Sequence, residues 1–492
     1  GDPAEAIVGL QKELGSAPEQ VRPALHAILG HWYWSYFESN RWQFQRRTSV
    51  AEDNSQDIKT WDLGRIFKEI DQQYSASLAN SDDLKSTPIS TLDALLDRGT
   101  YPDSYRPTFY DFLAHEAIGF YASGEQAGVV REDAFEIDAN SAALGSTEDF
   151  LAWNPTTTDA QSPKLKAIRL FQDLLKFHAK DESPDARLHN ELERIRFTYN
   201  HALGEEKDAR ALALLEDFAQ KNAKHPLSAN ARQQWANILM SQNDLEAAYE
   251  VALQGKNAFP ESIGGKLCHN LIETITSKAL NVSIERVWNA PGSTIRVRYK
   301  NISKIHFRIV DADWRNRMDQ PNRWRPDQID EQDRQTLFNK APVKSWSTDL
   351  APTIDYQEAT HDLQAPLDLK PGYYFLLYSL NEQFTPNSNQ LGACELWVSR
   401  LGLVLRIPNN YGFPDTEPAP QRIEGLIVDN QSGEPIAGAN VQAFLREDGN
   451  RNWTMKSKVQ TEPTGLFQIP VGRGSVMLLV EHEGHRLSTH QE

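Results

Sequence analysis

The sequence predicts a multidomain α + β protein, in which an all-α N-terminal region is followed by antiparallel β-sandwich domains. Up to about residue 275, apolar side chains recur at helical spacing, whereas from about residue 280 they alternate with polar ones. The length of 492 residues also exceeds what one hydrophobic core supports. We therefore expect three or four domains.

Residues 1–180 are predicted to form an α-helical domain. Pro3 occupies a first helical position, and Ile7 and Leu10 follow it at helical spacing. Ser16 is expected to cap a second helix. An aromatic-rich segment at 31–37 and the segment 106–117 are further predicted helical regions.

Residues 181–278 are predicted to form TPR-like (tetratricopeptide-like) helical hairpins. Pro226 and Pro260 are separated by the 34-residue period of that repeat. Between them, Ala248, Ala252 and Gly255 are small enough to let paired helices approach closely. Such arrays bind proteins or act as spacers, and the sequence leaves both roles open.

The C-terminal half is predicted to contain two β-sandwich domains. In residues 279–407, Ile295, Val297 and Tyr299 alternate with basic residues, as in a half-buried antiparallel strand. A polar stretch at 314–346 is expected to be an insertion, either a loop or partly helical. A Pro-rich linker at 408–422 precedes a sandwich at 423–492, which is short and is interpreted as truncated.

Composition excludes some classes of function. A formal net charge of −17 disfavours nucleic acid as a partner. No stretch approaches the roughly 18 consecutive apolar residues of a membrane span. The chain starts Gly1-Asp2-Pro3 without an initiator methionine, which we interpret as a mature or shortened form. Any membrane attachment would then depend on a removed anchor or signal.

Several blocks, in this order along the chain, resemble the bacterial alpha-2-macroglobulin-like family. They are residues 106–117 (Arg-Pro-Thr-Phe-Tyr-Asp-Phe-Leu-Ala-His-Glu-Ala), 267–275, 295–309, 371–377 and 397–400. The resemblance implies a macroglobulin-like sandwich at 279–407. The terminal sandwich is similar to carboxypeptidase-regulatory-like or macroglobulin modules. The resemblance, with the terminal sandwich included, covers nearly the whole chain.

The family resemblance implies a function for a longer protein. Its members resemble protease traps (endopeptidase inhibitors), in which cleavage of a bait segment collapses a ring of macroglobulin domains around the protease. Some form a thioester within a Cys-Gly-Glu-Gln-like motif, whereas here Cys268 precedes His-Asn-Leu and Cys394 precedes Glu-Leu-Trp. The chain is thus expected to be a non-catalytic N-terminal scaffold that lacks the thioester domain.

The expected partners are proteases, met through the full-length protein, and downstream domains of the same polypeptide. The expected location is extracytoplasmic: periplasmic, cell-surface or secreted. The alternative is a bacterial surface module for adhesion or for binding glycans or proteins, built from helical repeats and β-sandwiches. A third hypothesis is that the protein is an enzyme, and clustered titratable groups in a deep cleft would be needed to support it.

Individual residues suggest no catalytic, cofactor-binding or metal-binding role. Cys268 and Cys394 form either a disulfide or two buried thiols. His115-Glu116 lacks the second histidine of a zinc helix, because position 119 is Gly119. An Asp111–Glu116 carboxylate pair is disfavoured, because such pairs are common on helix faces.

Other groups of side chains have ordinary explanations that outweigh functional ones. Packing is favoured over sugar stacking for Trp32, Tyr33, Trp34, Tyr36, Phe37 and Trp42. A solvated strand end is favoured over metal binding for His482, His485 and His490. A solvated sheet face is favoured over domain docking for Arg296, Arg298, Lys300 and Arg308. Glycosylation sequons begin at Asn281, Asn301, Asn430 and Asn452, and have little meaning in a bacterial protein.

Overall fold

The computed structural model describes residues 3–46, 57–93, 99–123, 134–289, 292–320, 327–386, 389–406, 422–447, 452–471 and 474–489. The chain divides into two compact units, Gly1–Ile275 and Thr276–Glu492. The first is mainly helical and the second is built mainly of antiparallel sheets. The predicted Pro-rich linker lies outside the described residues, except for Arg422, which begins a strand.

Twelve α-helices are seen in the described part of the first unit. They are α1 (Pro3–Ser16), α2 (Arg22–Gln45), α3 (Leu63–Ser77), α4 (Ser81–Ser86), α5 (Phe109–Tyr121), α6 (Thr147–Ala152), α7 (Pro163–Phe177), α8 (Asp185–His201), α9 (Lys207–Lys221), α10 (Leu227–Ser241), α11 (Leu245–Ala258) and α12 (Ile263–Thr276). The prediction that Ser16 caps the second helix is wrong. Ser16 is the last residue of α1, where its hydroxyl donates to the Glu13 carbonyl at 3.2 Å.

The first unit is not purely helical, which corrects the all-α prediction. Strand β1 (Ile137–Asp138) pairs in parallel with β2 (Ala202–Leu203), directly after α8. The Ala139 N–H also donates to the Leu203 carbonyl at 2.8 Å. These two-residue strands were not predictable from periodicity, because period two requires a longer run.

Helices α9 to α12 follow one another as hairpins. Gly255 on α11 faces α12, where a Cβ at residue 255 would lie 2.6 Å from the Cys268 sulfur. Gly264 and Gly265 likewise allow α12 to approach the backbone at Asn230 and Phe259. Small residues thus set the spacing of these helices, as the sequence predicted. Their assignment to the tetratricopeptide class stays a prediction.

The first sandwich of the second unit consists of two sheets that share a core. Its strands are β3 (Ala279–Ile284), β4 (Val287–Trp288), β5 (Thr294–Lys300), β6 (Lys304–Asp311), β7 (Lys344–Asp349), β8 (Ala359–Gln364), β9 (Gly372–Ser379) and β10 (Leu391–Val398). The strand orders are β4-β10-β9-β6-β7 and β3-β5-β8. Val297 of one sheet and Phe307 of the other belong to the shared core.

The predicted insertion at 314–346 is partly helical. It contains α13 (Trp314–Met318) and α14 (Glu331–Asn339). Its last residues, 344–346, belong to β7, which pairs with β6. The insertion is therefore shorter than predicted, because the polar side chains of an edge strand resemble those of a loop.

The second sandwich contains β11 (Leu401–Arg406), β12 (Arg422–Asp429), β13 (Asn440–Arg446), β14 (Thr454–Gln460), β15 (Leu466–Pro470), β16 (Ser475–His482) and β17 (His485–Ser488). Its sheets are β11-β12-β15 and β14-β13-β16-β17. Strand β11 pairs with β12, from Leu401 opposite Asp429 to Arg406 opposite Glu424. This pairing corrects the domain boundary predicted at 407, because β11 belongs to the last sandwich.

Helix α13 lies where the two sandwiches meet. Trp314 is buried, and its ring centroid lies 6.2 Å from that of Trp397 on β10 and 5.9 Å from that of Phe444 on β13. Arg286, just before β4, contacts both sandwiches. It bonds to the Glu395 carboxylate at 2.5 Å and donates to the Ser488 carbonyl at 2.7 Å. The two sandwiches therefore share an apolar and a charged contact.

Candidate functional site

The block at residues 106–117 forms the start of α5, which is fixed by a capping box. The Thr108 hydroxyl donates to Asp111 Oδ2 at 2.7 Å, and the Thr108 N–H donates to the same oxygen at 3.0 Å. The Asp111 N–H donates to the Thr108 hydroxyl at 3.3 Å. These reciprocal bonds satisfy N–H groups that a helix start leaves without partners.

His178 connects Asp111 to Asp181. Its Nε2 lies 2.7 Å from Asp111 Oδ1, and its Nδ1 lies 2.6 Å from Asp181 Oδ2. Burial alone would lower the pKa of His178, but the hydrogen bonds and charges of Asp111 and Asp181 raise it above the ordinary value. The bonds occupy both oxygens of Asp111, so the Asp111–Glu116 pair has no carboxylate at Asp111 available for catalysis.

A second polar contact ties α5 to α7 and α4. The Tyr110 hydroxyl donates to Asp173 Oδ2, and Lys85 Nζ lies 2.8 Å from the same oxygen. Lys85 also lies over the Tyr110 ring, 4.5 Å from its centroid. Burial would raise the pKa of Asp173, but hydrogen bonds from Lys85 and Tyr110 lower it. This contact holds helices together and has no free nucleophile.

Two buried histidines lie between α5 and α8. His115 Nε2 is 2.9 Å from Asn190 Oδ1, and the Asn190 amide donates to the Ala186 carbonyl. Arg106 Nε donates to His189 Nε2 at 3.3 Å, so the ring proton of neutral His189 is on Nδ1. Burial and the Arg106 charge lower both pKa values, that of His189 to about 3. Both rings are therefore neutral at pH 7.

Beside His189 lies a cleft of about 330 Å³ between α8 and α10, which we call the amide cleft. Its floor is aliphatic and buried, and consists of Leu192, Ile195, Leu227 and Ile238. Carboxamide side chains line it, namely Asn200, Asn230, Gln233, Gln234 and Asn237. Sequence reasoning missed this cleft. The available signal was four carboxamides at i, i+3, i+4 and i+7 on one predicted helix.

Most of the aromatic segment in α2 is packed. Tyr33 and Phe37 are buried, and their rings lie 5.5 Å from Trp61 and 4.9 Å from Phe67, respectively. Two of the six predicted members point outwards, since Trp32 is 38% and Trp42 60% exposed. The aromatic residues therefore do not form one continuous stacking surface.

The basic face of β5 is compensated by acidic residues of the neighbouring segment. Arg296 makes two hydrogen bonds to Asp362, at 2.9 and 2.8 Å, and Arg298 makes one to Glu358 at 2.8 Å. Arg308 donates instead to the Glu382 carbonyl at 2.8 Å. Opposite charges thus pair across the strands, as expected of a solvated sheet face.

The remaining predicted sites are dispersed. Cys268 and Cys394 are free thiols in different units, and burial raises their pKa values to about 12 and about 11. His482 and His485 flank a turn between β16 and β17, whereas His490 lies outside the described residues. Among the residues that the structure describes, no three His, Cys, Asp or Glu side chains are grouped to hold a metal ion.

The sequons lie on both sandwiches. Asn281 is in β3, Asn301 follows β5 with a φ of 58°, Asn430 follows β12, and Asn452 precedes β14.

None of the helices in the described ranges is both long and apolar enough for a membrane span.

Comparisons with known proteins give structural matches only. No family model and no curated protein matches the chain. Among the solved structures, a crystal structure of Escherichia coli alpha-2-macroglobulin domains NIE-MG1 is 15% identical, with a TM-score of 0.28, over 43% of this chain and 97% of that one. A second crystal structure, of domains MG0-NIE-MG1, is 16% identical, with a TM-score of 0.30, over 43% of this chain and 64% of that one.

The native E. coli protein, seen by electron cryomicroscopy, is 16% identical, with a TM-score of 0.23, over 42% of this chain. The chain covers 12% of that protein, so any activity of the whole molecule is a proposal for this chain. At these identities and TM-scores the matches do not establish the family. They are similarities to N-terminal alpha-2-macroglobulin domains and no more.

Proposed function

We propose that this chain is the non-catalytic N-terminal scaffold of a bacterial alpha-2-macroglobulin-like, extracytoplasmic protein that traps proteases. The observation that supports the proposal most strongly is the joint between the two sandwiches. Trp314 packs against Trp397 and Phe444, and Arg286 links β10 to the end of β17. A ring of sandwich domains that collapses as a unit needs such stiff joints between neighbours.

The family-like blocks support the same reading through their structural roles. In residues 106–117, the polar side chains of Thr108, Tyr110, Asp111 and His115 are all bonded, within α5 or to α7 and α8 and the segment between them. The blocks at 295–309 and 371–377 form β5, β6 and most of β9. The side chains of these blocks thus serve packing and hydrogen bonding, which are the roles that a scaffold requires.

The chemistry of the described residues also favours a scaffold over an enzyme. His115 and His189 are buried and neutral, Asp111 is fully bonded, and both thiols have raised pKa values. A thiol with a raised pKa is a poor nucleophile, because the thiolate is the reactive form. A thioester, if the whole protein has one, would belong to a downstream domain.

The test uses the full-length parent protein, analysed by mass spectrometry after methylamine treatment and after limited proteolysis. The proposal predicts that cleavage leaves the protease bound to the parent through size-exclusion chromatography. A methylamine adduct together with a retained protease would indicate a trap with a thioester. Retention of the protease without an adduct would indicate a trap without a thioester. If the parent neither forms an adduct nor retains the protease, the result would contradict the proposal and favour a surface adhesion or binding module.

A further inference from the structure

We propose that two copies of this chain associate through strand β7 of the first sandwich. The two β7 strands would pair edge to edge and antiparallel, with Ser347 opposite its counterpart in the second copy. The protease-trap proposal assigns no role to this strand, and the inference is independent of it. It depends on the backbone of β7 and on the side chains that such a pair would bring together.

Strand β7 is an edge strand, and it pairs with β6 alone among the described strands. The Leu350 N–H donates to the Ser303 carbonyl at 2.8 Å, so the backbone groups of residues 344, 346 and 348 also face β6. Those of the alternate residues, Ser345, Ser347 and Asp349, therefore point away from the sheet. Such a row of outward N–H and carbonyl groups is a template for another strand.

The other long edge strands of this sandwich, β3 and β8, are less suited to self-pairing. Strand β3 lies against β10, where the Cys394 thiol donates to the Val282 carbonyl at 3.4 Å. In β8, the Ala365 N–H donates to the Ser293 carbonyl, so the backbone of Asp362 points outwards. A full overlap of two β8 strands would place Asp362 opposite Asp362, and like charges directly opposite are destabilising.

A full overlap of two β7 strands instead aligns complementary side chains on the solvent face. With Ser347 opposite its counterpart, Ser345 of each copy lies opposite Asp349 of the other. All three residues are exposed, and the Asp349 side chain is 82% exposed. The Ser345 hydroxyl is a donor for the carboxylate opposite, and the two-fold symmetry of the pair provides this contact twice. No like charges lie directly opposite one another in this register.

The inner face of the same register brings together an aromatic and a β-branched side chain. The Trp346 ring stacks on Phe307, with centroids 5.0 Å apart, but Trp346 is only half-buried because it lies at the edge. In the proposed pair, Trp346 of each copy lies opposite Thr348 of the other. Cross-strand pairs of this type stabilise antiparallel sheets. The second copy would therefore cover part of the exposed surface of the Trp346 ring.

Exposed aliphatic side chains lie beyond both ends of β7. Val343 precedes the strand and is 54% exposed, and Ile354 follows it and is 84% exposed. In the proposed register, residue 343 of each copy lies opposite residue 351 of the other. Val343 thus comes near the segment that carries Ile354. Burial of apolar surface at both ends would add to the backbone hydrogen bonds.

The experiment measures sedimentation velocity of the 492-residue chain between about 1 and 200 µM. We expect a reversible dimer with a Kd of about 1–100 µM, because about six backbone hydrogen bonds of modest net strength form. Ser347→Pro removes an outward N–H without breaking a bond to β6, and should weaken the dimer about tenfold or more. Thr360→Pro, which removes an outward N–H of β8, is the matched control and should dimerise as wild type.

Two lysine substitutions on the same face of β7 test the register. Ser345→Lys places a cation opposite Asp349 of the second copy and should strengthen the dimer severalfold. Ser347→Lys places two cations opposite each other and should weaken it severalfold. Circular dichroism confirms that each variant folds.

The inference is overturned if the chain is monomeric at about 200 µM, or if Ser347→Pro dimerises as wild type. A dimer that Thr360→Pro weakens instead would assign the contact to β8 and overturn it as well. If the two lysine variants change the Kd in the same direction, the proposed register is wrong.

Discussion

Trp314 and Phe444 pack edge to face, with ring centroids 5.9 Å apart and ring planes at 67°. Trp314 belongs to the insertion that interrupts the first sandwich, whereas Phe444 is in the core of the second. The Arg315 guanidinium also lies 4.6 Å from the centroid of the Phe444 ring. The insertion is thus a structural connection between the two sandwiches.

Trp314→Ala should destabilise the second unit by about 3–5 kcal/mol, because it removes a large buried ring from the apolar core between the two sandwiches. Calorimetry of the full chain should show that the sandwiches unfold in separate steps. Trp346→Ala is the matched control, since Trp346 stacks on Phe307 within the first sandwich and is only half-buried. Equal effects of the two substitutions would contradict the connecting role of Trp314.

Arg286→Ala should cost about 2 kcal/mol, a value between those of exposed and buried ion pairs. The Glu395 side chain is 12% exposed and would lose its counterion, while Ser488 would lose the donor to its carbonyl. Arg296→Ala removes an exposed, solvent-screened pair with Asp362 and should destabilise the chain much less than Arg286→Ala does. Urea denaturation measures both. If Arg286→Ala proved as mild as Arg296→Ala, the Arg286 contact would not join the sandwiches.

The stability of the helical unit should fall as pH rises above about 6.5, because of His178. Its pKa is raised in the folded state, so folding favours the protonated ring. The contribution is complete below the unfolded pKa and is lost as pH rises through the folded pKa. His178→Gln should flatten this alkaline limb in denaturation experiments at several pH values. An unchanged slope would show that His178 is not a cation between Asp111 and Asp181.

His189 should make the stability of the helical unit fall as pH decreases, which is the opposite of the effect of His178. Its folded pKa is about 3, so below about pH 6.5 the unfolded chain binds a proton that the folded chain does not. Stability should therefore fall as pH decreases from about 6.5 towards 3, by up to about 1.4 kcal/mol per pH unit. His189→Gln keeps an acceptor for Arg106 and should make this limb shallower. It also serves as the control for His178→Gln, because each variant should alter one limb alone.

Gly255→Ala should destabilise the helical unit by about 1–3 kcal/mol, because the added methyl would overlap the Cys268 sulfur. Removing that sulfur in Gly255→Ala/Cys268→Ala should recover part of the loss. Gly119→Ala is the control on α5, where a Cβ meets open space, and should be neutral or slightly stabilising. Thermal denaturation measures all three, and a purely additive double variant would exclude direct contact between positions 255 and 268.

Local patterns predicted those parts of the fold whose partners are near in sequence. Alternation at Ile295, Val297 and Tyr299 predicted β5, and helical spacing predicted most of the first unit. The boundary at 407 was wrong because the apolar pattern continues from β10 into β11 across two residues. Only the pairing of Leu401 with Asp429 shows that the chain passes there from one sandwich to the next.

The roles of the block at 106–117 were less predictable, because its partners are distant in sequence. Asp111 bonds to His178, 67 residues away, and His115 bonds to Asn190, 75 residues away. The sequence therefore suggested a family from this block without indicating what each side chain contacts. The amide cleft was missed for the same reason, since its floor combines residues of α8 and α10.

The most direct test of the scaffold proposal is whether a protease held by the full-length parent keeps its activity on a small peptide substrate and loses it on a large protein substrate. Enclosure by a ring of domains leaves the active site intact and excludes large molecules. The account predicts nearly full activity on the peptide and strong protection of the protein substrate. Equal activity on both substrates, or equal inhibition of both, would contradict it.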